Sequence, residues 1–311
     1  MVVKMSKKIF TDEEEQIKEV IIASRKLEEY LWREYNGQWN IEEWRRMFRK
    51  RIQKIDDIDI NNPHAIIEMR KRVMTSKVFT NEHILGTILF EKTMMSEVNG
   101  KFTADYLWDE KGIVSFLKVD KGLAEEKNGV KLMKEIPNLK EEIEEANKKH
   151  VFGTKMRSVI YEPNVEGIKA IVAQQFEFAK TICDGGLVPI IEPEVDIHSE
   201  QKELCEKILK DEIIRKLKEW NPADKIMFKF TIPTVANHYL DLYDYDCVVR
   251  IVALSGGYEI DEACELLAKN NRMIASFSRA LLQDLNAHQT QEEFDTALNN
   301  AIVKIYNASI A

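Results

Sequence analysis

Positive charge is in deficit. The chain carries 45 Lys and Arg against 53 Asp and Glu over 311 residues, a formal charge of -8 and a sequence pI of about 5.5. A duplex binder concentrates Lys and Arg on one face to displace counterions, so this balance argues against nucleic acid as the main partner. No apolar run approaches the roughly 20 residues of a membrane-spanning helix. Met1 to Phe10 alternates basic and apolar residues, where an export signal needs a continuous apolar stretch. The four cysteines, Cys183, Cys205, Cys247 and Cys264, stand singly, with no C-x-x-C and no paired histidine spacing. They are expected as buried thiols in a reducing cytoplasm, with no metal site and no disulfide. Also missing is a G-x-G-x-x-G after a first strand, which removes the main support for a dinucleotide-binding open sheet.

What is present is a regular alternation. With 44% hydrophobic and 32% charged residues, the chain has enough apolar material for a real core. From about residue 84, short apolar runs alternate with longer amphipathic stretches, the pattern of repeated βα units on a parallel sheet. Seven strands are expected: Ile84 to Glu91, Ile113 to Val119, Gly153 to Ile160, Leu187 to Glu192, Lys225 to Thr231, Cys247 to Leu254, and Met273 to Phe277. Most are near-continuous apolar or β-branched runs, as in strands covered on both faces. Helices are expected at Gly167 to Cys183 and Ser199 to Trp220, where apolar residues recur at three and four. A (β/α)8 barrel over residues 63–311, completed by one strand upstream of residue 84, is the economical architecture.

Residues 1–62 read as a separate, helical N-terminal segment. Thr11 to Glu14 has the pattern of a capping box ahead of apolar residues on one face. A second helix is expected from Asn40 to Ile55, its basic residues forming a solvated face, and Asn62-Pro63 caps a third beginning near His64.

Several ionisable residues interrupt the apolar runs. Lys229 lies in Ile-Met-Phe-Lys-Phe-Thr-Ile-Pro, at an inward position of a buried strand. Burial lowers the pKa of a lysine, and a neutral amine is a nucleophile able to form a Schiff base; the structural alternative is a buried ion pair. Lys118 with Asp120, Lys155 with Arg157, and Glu192 with Glu194 are pairs at spacing two, so each pair faces one side of its strand. Several strands thus project charge from one barrel mouth. A lysine-rich mouth suits a phosphorylated substrate, and a glutamate beside it can move protons. Glu91 is a further wall candidate, or only balances a neighbouring lysine. Ser255-Gly256-Gly257 and Ser276 to Ala280, which includes Ser278 and Arg279, follow the last two strands, where barrels commonly hold a phosphate on backbone N–H groups.

These segments together resemble the class I fructose-1,6-bisphosphate aldolases, in particular the shorter bacterial form, from about His64 to the C-terminus. The resemblance is carried by Ile84-Leu-Gly-Thr-Ile-Leu-Phe-Glu91, Phe116-Leu-Lys-Val-Asp-Lys-Gly-Leu123, Phe152-Gly-Thr-Lys-Met-Arg-Ser158, Gly186-Leu-Val-Pro-Ile-Ile-Glu-Pro-Glu194, the Lys229 strand, Ala253-Leu-Ser-Gly-Gly257 and Ile274 to Leu281. It implies a barrel with Lys229 as the Schiff-base lysine, Glu192 as the principal proton-transfer group and Lys155 assisting the carbinolamine step. It further implies Lys118 and Arg157 on substrate oxygens and phosphate, and Ser255, Gly256, Gly257 and Arg279 on the dihydroxyacetone-side phosphate. No metal or separate cofactor is implied, because the protonated imine is the electron sink.

The chain departs from the resemblance in its first strand. The family places an aspartate at the end of that strand, in a segment like Ala-Leu-Asp-Gln-Ser-Gly-Gly-Ser, and residues 1–62 contain no D-x-S-x-G. The leading expectation is cleavage or formation of fructose 1,6-bisphosphate. Two alternatives are an enzyme that joins dihydroxyacetone phosphate to a different electrophile, and a catalytically impaired binding protein on the same fold. The expected partner is a phosphorylated keto-sugar, without nucleic acid or membrane. Apolar residues on the last helix, Phe294 to Tyr306, could serve a homo-oligomer.

Overall fold

The structure, a computed structural model, describes residues 63–311 apart from Gln283 and Ala287. In chain order, α1 (Pro63–Thr75) leads to β1 (Gly86–Leu89), α2 (Glu91–Met94), a small hairpin of β2 (Glu97–Val98) and β3 (Lys101–Phe102), and α3 (Thr103–Lys111). Next come β4 (Val114–Lys118), β5 (Val130–Lys131), α4 (Leu139–Lys148), β6 (Gly153–Ile160), α5 (Val165–Asp184), β7 (Val188–Val195) and α6 (Lys202–Leu217). The chain finishes with β8 (Ile226–Thr231), β9 (Val248–Leu254), α7 (Ile260–Leu267), β10 (Met273–Ala275), α8 (Arg279–Leu282) and α9 (Gln291–Ile310).

All seven strands expected from the sequence form, and they pair in parallel in the order β1-β4-β6-β7-β8-β9-β10. This is the curled sheet of a (β/α)8 barrel. Among the described residues β1 and β10 are the edges of the path. The eighth strand expected upstream of residue 84 lies outside the described residues, as do the helices expected within residues 1–62. Pro63 does open a helix, where its fixed φ and missing N–H cost nothing. Asn164 caps α5 by accepting the Gly167 N–H at 3.0 Å, and Thr290 with Glu293 forms a capping box on α9.

Two apolar layers follow from the period-two alternation of the strands. The outer layer, between sheet and helices, contains Phe228 and Phe230 of β8 with Phe176 of α5. The inner layer is made almost wholly of strand residues, including Ile88, Val114, Phe116, Ile190, Met227 and Val252. Gly86 and Gly153 make room for the Phe116 ring. A Cβ on Gly153 would lie 2.2 Å from the Val188 carbonyl oxygen and 2.7 Å from the ring. The inner layer thus floors the barrel, and the inward positions beyond it on β4, β6, β7 and β8 are Lys118, Lys155, Glu192 and Lys229.

Three expectations are corrected. The connection from β8 to β9 carries only a 3-10 turn, Leu240–Asp244, where a helix was expected. β7 extends three residues past Glu192, through Pro193. Val195 turns its N–H to β8, so residue 193 would offer its N–H on the same side, and proline has none. The β7–β8 ladder accordingly pairs only Ile190 with Met227 and Ile191 with Phe228. Thr231 rejoins the strands: its hydroxyl donates to the Val195 carbonyl at 2.6 Å and accepts the Val195 N–H at 3.0 Å. Finally, the apolar face of α9 is not at the surface. Phe294, Leu298, Ile302 and Ile305 are buried, and the helix packs on β10 and α7.

Candidate active site

The charged inward residues meet at the C-terminal ends of the strands. Lys229 is 4% exposed, between neighbours Phe228 and Phe230 that point the other way into the outer layer. Its Nζ lies 3.3 Å from Glu192 Oε1. Glu192 is 1% exposed, and its Oε2 lies 2.8 Å from Nζ of the fully buried Lys155. The lysine amine and a second cation therefore share one carboxylate at the seam that Pro193 leaves open. Gln175 on α5 steadies that strand by donating to the Glu192 carbonyl at 3.2 Å.

The set continues outward from this centre. Lys155 reaches Asp120 Oδ2 at 3.3 Å, and Asp120 Oδ1 accepts from Lys118 at 2.7 Å. Arg157 Nε donates to Glu194 Oε2 at 2.5 Å, and both are largely buried at the rim. The Phe90 ring, just past β1, faces two cations, Lys118 Nζ at 5.6 Å and Arg70 Cζ at 5.4 Å from its centroid. Arg70 is buried and also donates to Thr93 Oγ1 at 2.5 Å. Glu91 stands apart from the cluster, exposed and 3.8 Å from Lys121, which also pairs with Glu142 at 2.5 Å. Burial raises the Glu142 pKa.

On the other side of the mouth, β9 and β10 run parallel in register, Ala253 beside Ala275, so the loops after them emerge together. Ser255 and Ser276 are buried and Ser278 is half-buried. Gly256 has φ +63 and Gly257 φ +129, backbone conformations that favour glycine. A Cβ on Gly256 would lie 2.6 Å from Ile197 Cγ2. Arg279 begins α8, and its side chain lies outside the described residues. Such a glycine turn can present N–H groups to an anion.

The arrangement can do two things chemically: form a covalent adduct through a lysine with a carboxylate beside it, and hold anions on either side. Among the described residues there is no cluster of His, Cys, Asp and Glu that could hold a metal ion, and no helix long and apolar enough to cross a membrane. Sequence reasoning missed Gln175, Thr231 and Arg70. Gln175 had a legible signal, a polar residue on the face of α5 otherwise made by Ile168, Ile171, Val172 and Phe176. Thr231 shares the parity of Lys229. Arg70 had none, sitting beside Lys71 and Arg72 in a short basic run.

A (β/α)8 barrel with a buried lysine and carboxylate at the strand ends defines the class of protein, and the comparisons supply the family. The sequence profile of the class-I fructose-bisphosphate aldolases matches residues 28–229. The class 1 fructose-bisphosphate aldolase of Clostridium acetobutylicum is 56% identical over 247 residues, 79% of this chain and 84% of that protein. A fructose-bisphosphate aldolase from Plasmodium falciparum, solved with TRAP and a small-molecule inhibitor, shares the fold at TM-score 0.71 with 19% identity, over 99% of this chain and 93% of that one. The chain belongs to the class I fructose-bisphosphate aldolase family.

Proposed function

We propose that this protein is a Schiff-base aldolase that cleaves and forms fructose 1,6-bisphosphate, exchanging it with dihydroxyacetone phosphate and glyceraldehyde 3-phosphate. The observation that carries the reading is the buried Lys229 amine 3.3 Å from Glu192, whose other oxygen holds Lys155. Family membership supports the substrate.

Lys229 attacks the C2 ketone, and the carbinolamine loses water with a proton from the Glu192–Lys155 pair. The imine that forms is protonated. When the C3–C4 bond breaks, its electron pair moves into a C2–C3 enamine and neutralises the iminium, so no metal is needed as electron sink. The C4 hydroxyl proton goes to the Glu192 carboxylate and the aldehyde leaves. Protonation at C3 and hydrolysis of the imine release dihydroxyacetone phosphate and return the lysine. Ser255, Gly256, Gly257, Ser278 and Arg279 bind the phosphate on the ketone side. Lys118 and Arg157 take the opposite phosphate and nearby hydroxyls. Glu194 holds Arg157 in place.

Lys229→Met tests the reading directly. It is expected to abolish borohydride-dependent labelling by dihydroxyacetone phosphate while leaving the far-UV CD spectrum intact. Labelling that persists would move the imine to another residue.

A further inference from the structure

Lys118, Asp120, Lys155, Glu192 and Lys229 form an unbroken run of ion pairs across four strands, and Asp120 has no part in the chemistry above. It lies just past β4, its side chain 4% exposed, with one oxygen 2.7 Å from Lys118 Nζ and the other 3.3 Å from Lys155 Nζ. Lys155 needs such a neighbour. Its side chain has no exposure, and an ammonium taken out of water is kept charged only by carboxylates close to it. Among the described residues, the charged groups facing it are Lys118 of β4, Asp120 just past that strand and Glu192 of β7, with Lys229 of β8 on the far side of Glu192. Arg157, on its own strand, is turned to Glu194, and Glu91 is drawn to Lys121.

Glu192 cannot serve Lys155 throughout turnover. It is shared with Lys229, and in the proposed cycle it takes the C4 hydroxyl proton and becomes neutral. At that moment the Glu192 charge beside Lys155 is lost, and Asp120 keeps its own. We infer that Asp120 is a positioning residue, holding Lys155 charged and aimed at Glu192 while Glu192 gains and gives up its proton. The inference rests on the roles proposed above for Glu192 and Lys155. It requires no contact between Asp120 and substrate.

Asp120→Asn keeps the shape and removes the charge. Turnover of fructose 1,6-bisphosphate is expected to fall about 10-fold or more while KM changes less than about threefold, the pattern of a group that acts after binding. The alkaline limb of the kcat–pH profile should move down by about one unit, because an ammonium without its carboxylate loses its proton at lower pH. Asp120→Glu, which keeps the charge, should restore the limb. Lys118→Met separates the two partners of Asp120: it should raise KM without moving the limb down. Where the amide variant does not fold by far-UV CD, Asp120→Ser takes its place with the same expected limb shift. An alkaline limb that stays at the wild-type pH in a folded Asn or Ser variant overturns the inference, and so does a rise in KM alone. Borohydride trapping of dihydroxyacetone phosphate on Lys229 should persist in the Asn variant. Failure of trapping in the wild type would instead overturn the aldolase reading beneath it.

Discussion

Glu192→Gln removes one charge from the centre of the site and little else. The carboxylate stands between Lys155 at 2.8 Å and Lys229 at 3.3 Å, and the amide is nearly isosteric. Two consequences can be given magnitudes. A charge-assisted hydrogen bond contributes roughly 1.5–3 kcal/mol, and breaking a buried pair by changing one partner costs about 3–5 kcal/mol. The variant is therefore expected to lose about 3 kcal/mol of stability, near the low end because a lysine can shed its proton in place of being left as an unpaired ion. For catalysis, losing a positioned acid–base group typically costs 100-fold or more, which is about 2.7 kcal/mol of activation free energy. Cleavage followed by an NADH-linked assay of the triose phosphates should show that loss in kcat. Borohydride trapping on Lys229 should be slowed but detectable, since the amine is still present. Denaturant unfolding followed by CD gives the stability term independently. A kcat within threefold of wild type would remove Glu192 from proton transfer, whatever happened to stability.

Two further expectations follow from the same geometry. Thr231→Val deletes the hydroxyl that joins β8 to Val195, leaving a buried N–H and carbonyl without that partner; a loss of about 1–3 kcal/mol is expected in denaturant unfolding, and an unchanged midpoint would show that the strands re-pair without it. Burial pushes the Cys183 thiol up to about 12, so at pH 8 almost none is thiolate, and DTNB should modify it far more slowly than free cysteine. Mapping a fast-reacting thiol to Cys183 would contradict that.

Much of this arrangement was legible from the pattern of residue types. Lys229 stood out because a charge at an inward position of an all-apolar strand has to be explained, and the spacing-two pairs fixed which side of each strand would carry charge. Cross-strand register was not legible. Nothing local says that Asp120 reaches Lys155 on β6 as well as Lys118 on its own strand, because that depends on Lys118 pairing beside Lys155. The strand expected at Leu187 to Glu192 stops short of Pro193, whereas β7 continues through it and one side of the ladder opens instead. The last helix shows a different limit. Its apolar stripe was as clear in the sequence as in the structure, but periodicity does not say what covers a face, and β10 and α7 cover this one.

The central claim is that Lys229 carries the substrate as an imine and that the carbon–carbon bond is broken there. Intact-mass spectrometry after incubation with fructose 1,6-bisphosphate and sodium borohydride, followed by peptide mapping, tests both halves together. The account predicts a triose-phosphate adduct on Lys229. A hexose adduct alone would contradict cleavage, and no adduct, or one on a different lysine, would contradict the assignment of the nucleophile.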